Sequence, residues 1–179
     1  MSKIRVETER LVLRPFEAQD VEPHIAMMAD PEVCAYLTPG GTPRAYGEEW
    51  RAAACYVGHW SIRGYGFFSV EEKSTGEWIG RVGPWQPGGW PGLECGWSLA
   101  SAHWGKGYAP EAVIGAIRWT FERFPDLARI ISVIAPENAN SQAVAAKVGE
   151  TKTDEIFEFW GSRLDIWAAE REAWLAEFG

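Results

Sequence analysis

Residues 94–112 of the chain read Glu-Cys-Gly-Trp-Ser-Leu-Ala-Ser-Ala-His-Trp-Gly-Lys-Gly-Tyr-Ala-Pro-Glu-Ala, and this stretch decides the fold. It begins as a strand, passes through a loop that contains Gly105 and Gly107, and reaches Pro110. Proline suits the first helical turn, where its missing N–H has no bond to lose. Glycines let a backbone approach a ligand closely, and the first N–H groups of a helix have no intrahelical partner. The stretch therefore predicts a strand, an anion-binding loop suited to a pyrophosphate, and a helix.

Two familiar phosphate-binding patterns do not fit this loop. A dinucleotide fingerprint requires a third glycine three residues after the second, and Pro110 occupies that place. A P-loop requires lysine and then serine or threonine after its last glycine, whereas Lys106 lies between Gly105 and Gly107. Taken alone, the two glycines are also compatible with a tight turn that binds nothing.

The segments on both sides of this stretch predict a mixed α/β protein. Before it, residues 66–99 resemble an antiparallel meander, because short alternating runs are separated by turn residues. After it, residues 129–135 form a continuous apolar run, which is typical of a strand buried on both faces. The predicted strands are residues 10–14, 66–71, 78–82, 93–99, 129–135, 154–160 and 163–168. The predicted helices are residues 20–29 capped by Asp20, 43–57, 110–124, 142–148 capped by Asn140 or Ser141, and a short tail at 169–178.

Composition limits the classes of protein that remain. The 179 residues, of which 46% are hydrophobic, predict one globular domain over residues 1–179. A net charge of −8 argues against a nucleic-acid partner, which requires a basic face. The three cysteines and three histidines are too scattered for a disulfide framework or a metal site. Because no apolar run reaches the roughly 18 residues that cross a bilayer, and no secretory signal is apparent, we expect a cytoplasmic protein without a membrane partner.

The sequence of residues 94–112 resembles the cofactor signature of the GNAT superfamily of N-acetyltransferases, and most closely its ribosomal-protein N-terminal acetyltransferase branch. Residues 8–15, 138–141 and 147–149 also resemble that branch, in the same order along the chain. The resemblance implies a single GNAT-like domain with a mixed, mostly antiparallel sheet of about seven strands flanked by about four helices. It also implies transfer of an acetyl group from acetyl-CoA to a primary amine by direct attack in a ternary complex.

The same resemblance implies which residues bind acetyl-CoA. Backbone groups of Trp97, Ser98 and Leu99 match those that bind the pantetheine arm in the family. The loop that holds the pyrophosphate matches Trp104, Gly105, Lys106, Gly107, Tyr108 and Ala109. Asn138 and Ser141 match positions near the cofactor, although Asn138 could equally satisfy loop backbone and Ser141 could equally cap a helix.

The reaction needs a neutral amine, and an alkylammonium with a pKa near 10 must lose a proton first. Glu94 is the candidate general base, because the family often places a carboxylate here; strand alternation puts it on one face with Gly96 and Ser98. Many relatives protonate the leaving thiolate with a tyrosine at the position of Ala145, so Ser141 is the candidate acid, or no acid is needed. Glu150 stands where the family usually has phenylalanine.

The acceptor is either a small-molecule amine or a protein N-terminus, and Trp85, Trp90 and Trp160 are candidates for the wall of its site. A homodimer is compatible with the resemblance. Two other classes of function remain open from the sequence: a non-catalytic acyl-CoA-binding module and a structural domain that binds no nucleotide.

Overall fold

The computed structural model describes residues 4–159 and 161–179, which form an eight-stranded sheet with helices on both faces. The strands are β1 (Val6–Glu7), β2 (Leu11–Pro15), β3 (Phe68–Glu72), β4 (Trp78–Trp85), β5 (Glu94–Leu99), β6 (Arg129–Ile134), β7 (Thr151–Phe159) and β8 (Ser162–Glu170). The α-helices are α1 (Val21–Met28), α2 (Pro31–Cys34), α3 (Tyr46–Arg63), α4 (Tyr108–Arg123), α5 (Ala139–Lys147) and α6 (Arg171–Phe178).

The order of strands in the sheet is β1-β2-β3-β4-β5-β6-β8-β7, and only β5 and β6 are parallel neighbours. The expected mixed, mostly antiparallel sheet is therefore confirmed. The described residues contain eight strands and six α-helices, rather than about seven and four. The additional β1 has two residues and α2 has four, and elements this short have no hydrophobic period from which to predict them.

The two faces of the sheet carry different layers. On one face α4 packs Val113, Ile117 and Phe121 against strand residues that include Val82 and Cys95. On the other face α1 and α3 bury a smaller cluster, with Phe16, Val21 and Ala53 at its centre. Because side chains alternate along a strand, the neighbours of Val82 and Cys95 point towards the α1 and α3 layer.

The parallel pair β5–β6 is the weak point of the sheet. Its register consists of one residue pair, Glu94 with Ile131, in which the Ile131 N–H donates to the Leu93 carbonyl at 3.0 Å. Beyond this point the two strands separate, so the β6-facing edge of β5 is left open. An open strand edge offers backbone donors and acceptors to an extended ligand.

The two predicted helix caps have different outcomes: Asp20 stands at the N-cap of α1 without a capping hydrogen bond, and the predicted cap of α5 is misplaced. The Asp20 carboxylate accepts two bonds from Arg14 at 2.7 Å and one from the Glu17 N–H at 2.8 Å, so it closes a 3₁₀ turn instead of capping α1. Helix α5 begins three residues earlier than predicted, at Ala139, and its N-cap is Asn138, not Asn140 or Ser141. The Asn138 side chain accepts the Ser141 N–H at 3.1 Å.

Helix α3 runs from Tyr46 to Arg63, whereas residues 43–57 were predicted. It continues through Gly58 and ends at Gly64, which has a φ of 72°. An interior glycine costs a helix only about 1 kcal/mol, which packing against the sheet readily offsets. Among the described residues, no helix combines the length and apolar character needed to cross a bilayer.

Candidate active site

The loop before α4 presents a row of unpaired backbone donors. Gly105 and Gly107 adopt φ angles of 73° and 78°, and the helix begins directly afterwards at Tyr108. Within the described part of the chain, none of the N–H groups of residues 105–109 has a hydrogen-bond acceptor. Consecutive free donors at a helix N-terminus attract an anion, since the helix dipole adds partial positive charge there.

The start of the chain braces this loop, which reasoning from sequence did not anticipate. The Arg10 guanidinium donates to the Lys106 carbonyl at 2.9 Å and to the Glu111 carboxylate at 2.7 Å. Thr8 Oγ1 and the Arg10 N–H also donate to Glu111, at 2.6 and 2.7 Å. Burial works against ionisation of Glu111, but these hydrogen bonds outweigh it and lower its pKa. A carboxylate one turn into α4 thereby ties residues 8–10 to the loop.

The predicted loop side chains hold the loop in place rather than pointing into a ligand site. The Trp104 indole donates to the Leu99 carbonyl at 2.8 Å, although 41% of the residue is exposed. Tyr108 packs into the core beside α4 and donates its hydroxyl to Glu72. Lys106 is exposed. Any anion bound here would therefore meet mainly backbone.

The open edge of β5 selects among the three predicted pantetheine residues. The Ala100 N–H bonds to Ile79 on β4, and the Cys95 carbonyl accepts a bond from the β6 side. Since backbone direction alternates along a strand, Trp97 and Leu99 turn their N–H and C=O groups towards the opening, where the Leu99 carbonyl already accepts the Trp104 indole N–H. Ser98 turns its backbone towards β4 instead, so Trp97 and Leu99 are the better placed of the three for a backbone contact at this edge.

A cavity of about 530 Å³ lies between the α1 and α3 layer and the opening of the sheet. It brings together four predicted site residues that are distant in the sequence: Glu94, Trp97, Asn138 and Ser141. Trp85 and Trp90 also line it, whereas the loop at residues 104–109 does not. Trp160, the third tryptophan predicted for this wall, lies outside the described residues.

Glu94 is the ionisable group best suited to proton transfer in this cavity. The residue is only 8% exposed, and burial raises the pKa of its carboxyl group to about 7. Hydrogen bonds from the Trp90 indole and the Val133 N–H, together with the charge of Arg81, oppose that rise. The indole Nε1 lies 2.6 Å from Glu94 Oε2 and orients the carboxylate. A carboxyl group that titrates near neutral pH is well matched to general base catalysis.

The candidate acid is less well placed. Ser141 lines the cavity, half-buried in the first turn of α5, and its N–H is bonded to Asn138. Ala145 is fully buried and has no polar group to offer. Ser141 is the one residue of α5 that carries a hydroxyl, and it therefore stays the candidate acid.

Comparison with known proteins decides the family. The sequence profile of the acetyltransferase (GNAT) domain matches residues 10–151. The chain belongs to the GNAT acetyltransferase family. This GNAT protein is also 35% identical to an uncharacterized N-acetyltransferase, p20, of Bacillus licheniformis over 136 residues, which cover 75% of each chain.

Solved structures agree with this assignment of a GNAT N-acetyltransferase. An acetyltransferase from Agrobacterium tumefaciens is 29% identical, with a TM-score of 0.83 over 95% of this chain and 96% of that one. Two others share the fold at lower identity. Mycobacterium smegmatis RimJ in complex with CoA-disulfide is 21% identical, with a TM-score of 0.74 over 96% and 90% of the two chains. A putative ribosomal-protein-serine acetyltransferase from Vibrio cholerae is 20% identical, with a TM-score of 0.69 over 93% and 97%. The GNAT fold binds acetyl-CoA.

Glu150 is a second buried acid in this GNAT protein, beneath the cavity wall. It is 2% exposed, and its Oε1 lies 2.8 Å from Ser132 Oγ, which is 2.9 Å from the Cys95 carbonyl. Burial, countered by the Ser132 bond and assisted by the charge of Glu94, raises the Glu150 pKa to about 8. The Ser132 hydroxyl has one proton to donate, and both the Cys95 carbonyl and Glu150 Oε1 lie within hydrogen-bond distance as acceptors. The sequence shows that Glu150 replaces the usual phenylalanine, but it does not show that the carboxyl group is buried and bonded to Ser132.

Glu150→Gln is expected to stabilise the protein above pH 8. A folded-state pKa raised above the ordinary value of 4.5 means that the native state holds a proton that the unfolded state has released. Stability therefore falls as pH rises from about 4.5 towards 8. Glutamine can still accept the Ser132 hydrogen bond through its side-chain oxygen and has no charge to bury, so we expect a gain of about 1–3 kcal/mol at pH 9 and a flatter pH dependence.

Urea unfolding at several pH values between 5 and 9 measures this effect. Glu158→Gln, at an exposed position on β7, is the matched control and should leave the pH dependence unchanged. Parallel curves for Glu150→Gln and the parent would show that Glu150 is ionised in the folded protein.

Proposed function

We propose that this single-domain protein transfers the acetyl group of acetyl-CoA to a primary amine by direct attack in a ternary complex. One observation carries the proposal: the free N–H groups of residues 105–109, the open edge of β5 and Glu94 follow one another along β5 and its loop. An anion site, an extended slot and a buried base in that order fit a long ligand that has a pyrophosphate near one end and a reactive thioester at the other.

The backbone provides most of the proposed acetyl-CoA site. The N–H groups of residues 105–109 would bind the pyrophosphate, and Pro110 cannot contribute because it has no N–H. The outward backbone groups of Trp97 and Leu99 would bind the pantetheine arm in the manner of an added strand. Asn138 and Ser141 lie on the far side of the opening, at the start of α5.

The proposed chemistry starts from a protonated amine. Glu94 accepts a proton from the ammonium, directly or through water, and the neutral nitrogen attacks the thioester carbonyl carbon. A C–N bond forms and the C–S bond breaks, so that the sulfur leaves as a thiolate while the nitrogen gives up a second proton to become the amide. Ser141 is the proposed proton donor to that thiolate, which is also a fair leaving group without help. The second proton from the nitrogen replaces the one that Ser141 donates, or passes to the thiolate through water. The acceptor amine enters beside Trp85 and Trp90, as either a small molecule or a protein N-terminus.

Coenzyme A at 1 mM is expected to raise the melting temperature. A ligand that binds only the native state adds RT ln(1 + [L]/Kd), which is about 2.7 kcal/mol at 100 times the Kd. For a chain of this size that corresponds to a shift of roughly 5–10 °C. Differential scanning fluorimetry measures the shift, with NAD at the same concentration as the control nucleotide. An unchanged melting temperature would contradict the proposed site, and binding without turnover of any amine would indicate a binding module instead.

A further inference from the structure

Arg81 is a buried cation in the wall of the acceptor cavity. It lies on β4 and is only 7% exposed. In the register of the sheet it faces Ser98, while Trp85 faces Glu94, so all four lie on the face of the sheet that looks towards α3. Its guanidinium lies over two aromatic rings, 4.0 Å from the centre of Phe67 and 4.8 Å from that of Tyr56.

This cation has no counterion within the described residues. Its Nε is buried without a hydrogen-bond acceptor, and no carboxylate forms an ion pair with the guanidinium. The buried Glu49 carboxylate of α3 is already engaged, because Oε1 lies 2.9 Å from His24 Nε2 and Oε2 lies 3.0 Å from Arg44 Nη1. Aromatic faces compensate a buried guanidinium only in part, and an unmatched buried charge is strongly unfavourable.

A second unpaired group lies directly beside it. The Ser98 hydroxyl, across from Arg81 in the sheet, is also buried without a partner. The charge of Arg81 acts on Glu94 as well, where it opposes the effect of burial on the pKa. Unpaired polar groups on the same face of the sheet as a candidate general base suggest that a ligand supplies the missing acceptor, since buried polar groups are almost always satisfied.

We propose that Arg81 binds a carboxylate of the acceptor, so that the acceptor is a small amino acid-like molecule that carries both an amine and a carboxylate. The assignment rests on the proposed transferase function and narrows its acceptor. In the bound state the ammonium faces Glu94 and the carboxylate faces Arg81, each near an opposite charge. Arginine is well suited to this role because its planar fork binds a carboxylate through two parallel hydrogen bonds. A polyamine has no group to neutralise Arg81 and would be repelled by it.

The spacing of the two charged residues is compatible with such a molecule. Four positions along the strands separate the pair Arg81–Ser98 from the pair Trp85–Glu94. At about 3.3 Å per residue this is roughly 13 Å between the backbones of the two pairs. The charged groups of Arg81 and Glu94 can lie closer together than this, because both side chains are long. The cavity of about 530 Å³ admits a small ligand of this kind.

Matched acceptors test the proposal. The twenty amino acids, 4-aminobutyrate and 6-aminohexanoate are compared with their carboxamides and with spermidine, and release of the CoA thiol is followed. We expect kcat/KM for the best carboxylate to exceed that for its carboxamide by about 10- to 100-fold, as charge-assisted hydrogen bonds allow. Arg81→Gln is expected to abolish this preference through KM, with kcat largely kept. Arg81→Lys keeps the charge without the fork and should keep part of the preference.

Two controls separate this assignment from a structural role. Arg51→Gln removes the same charge from an exposed site on α3 outside the cavity and should leave the preference intact. A CoA-induced melting shift verifies that Arg81→Gln is folded. If that variant does not fold, Arg81→Lys provides the test instead. A fully retained preference for the carboxylate over its carboxamide in Arg81→Lys would show that the guanidinium fork does not bind the carboxylate.

The outcomes distinguish the proposal from the function on which it rests. Equal acetylation of carboxylates, carboxamides and spermidine would overturn the carboxylate assignment while leaving the transferase in place. Faster acetylation of hexapeptides beginning Ala-Asp than of any free amino acid would overturn the small-molecule assignment. Absence of turnover with every amine would contradict the transferase function. In that case the Arg81 site can still be tested through the melting temperature of the CoA complex. If amino acids raise it, their carboxamides do not, and Arg81→Gln loses the effect, the Arg81 site is supported. If amino acids do not raise it, the Arg81 site is overturned.

Discussion

Glu94→Gln is expected to lower kcat/KM by about 100-fold at pH 7, the usual contribution of a positioned base, without weakening CoA binding. Glutamine keeps the size of the side chain and can still accept the Trp90 hydrogen bond, so a folding defect is not expected. The base acts in its ionised form. Because burial raises the Glu94 pKa to about 7, the kcat/KM of the parent should increase around pH 7 as Glu94 loses its proton. The pH–rate profile of the variant should lack this ascending limb.

The pH–rate profiles of both proteins with one amine provide the measurement. The difference between them should narrow at high pH, where more of the amine is already neutral. Trp90→Phe is an informative companion because it removes the N–H that stabilises the carboxylate; the ascending limb should then move to higher pH. Glu158→Gln on the exposed strand β7 should change neither profile.

Another account is that Glu94 only attracts a cationic amine. In that case KM would rise, kcat would hold and added salt would reproduce the effect of the substitution. Profiles of the same shape that differ by less than about threefold would place the base elsewhere, since a positioned base contributes far more.

Gly107→Val is expected to abolish the melting shift produced by CoA. Gly107 has a φ of 78°, which a β-branched residue avoids, at a cost on the order of 1–3 kcal/mol. A Cβ there would lie 3.4 Å from Arg10 Nη2, which the empty protein can accommodate, but the side chain would occupy the space in front of the loop N–H groups. Scanning fluorimetry with and without CoA measures the loss.

Backbone strain and ligand crowding can be separated with a control. Gly64 ends α3 with a φ of 72°, and a Cβ there would have no atom within 4 Å. Gly64→Val therefore introduces similar strain away from the loop; it should lower the melting temperature and keep the CoA shift. Gly107→Asn is better tolerated at positive φ and tests crowding in a folded protein. A Gly107→Val protein with full CoA affinity would show that the loop is only a turn.

The order of elements, the mixed sheet and the anion loop follow from the sequence alone, because each rests on local signals. Alternation, glycines at turns and a continuous apolar run predict strands over short windows, and α4 has a clear apolar stripe that includes Ala112, Val113 and Ile117. Glycines before Pro110 need no distant partner to leave N–H groups free. The resemblance to GNAT acetyltransferases added the proposed roles of Trp97, Asn138 and Glu94, which neither hydrophobic periodicity nor residue spacing could assign.

Only the tertiary structure decided how these parts act together. The Asp20 carboxylate does not cap α1, because it is bound by Arg14 of β2 through two hydrogen bonds. The α5 cap differs from the prediction for a local reason, since Asn138 accepts the Ser141 N–H three residues along the chain. Arg10 braces the loop through Glu111, 101 residues away along the chain. Such contacts depend on which elements become neighbours in the fold. A short stretch of sequence around one residue does not contain that information.

The same reason accounts for the buried acidic and basic groups in the cavity wall and beneath it. Glu94, Glu150 and Arg81 are ordinary charged residues in the sequence, and a charged residue on a strand is most often exposed. Packing places all three in the interior, where desolvation raises the pKa of both carboxyl groups and leaves the guanidinium without a counterion. Residue type determined which chemistry was available to this acetyltransferase. Burial, which is a property of the folded chain, decided at which pH the two carboxyl groups change charge.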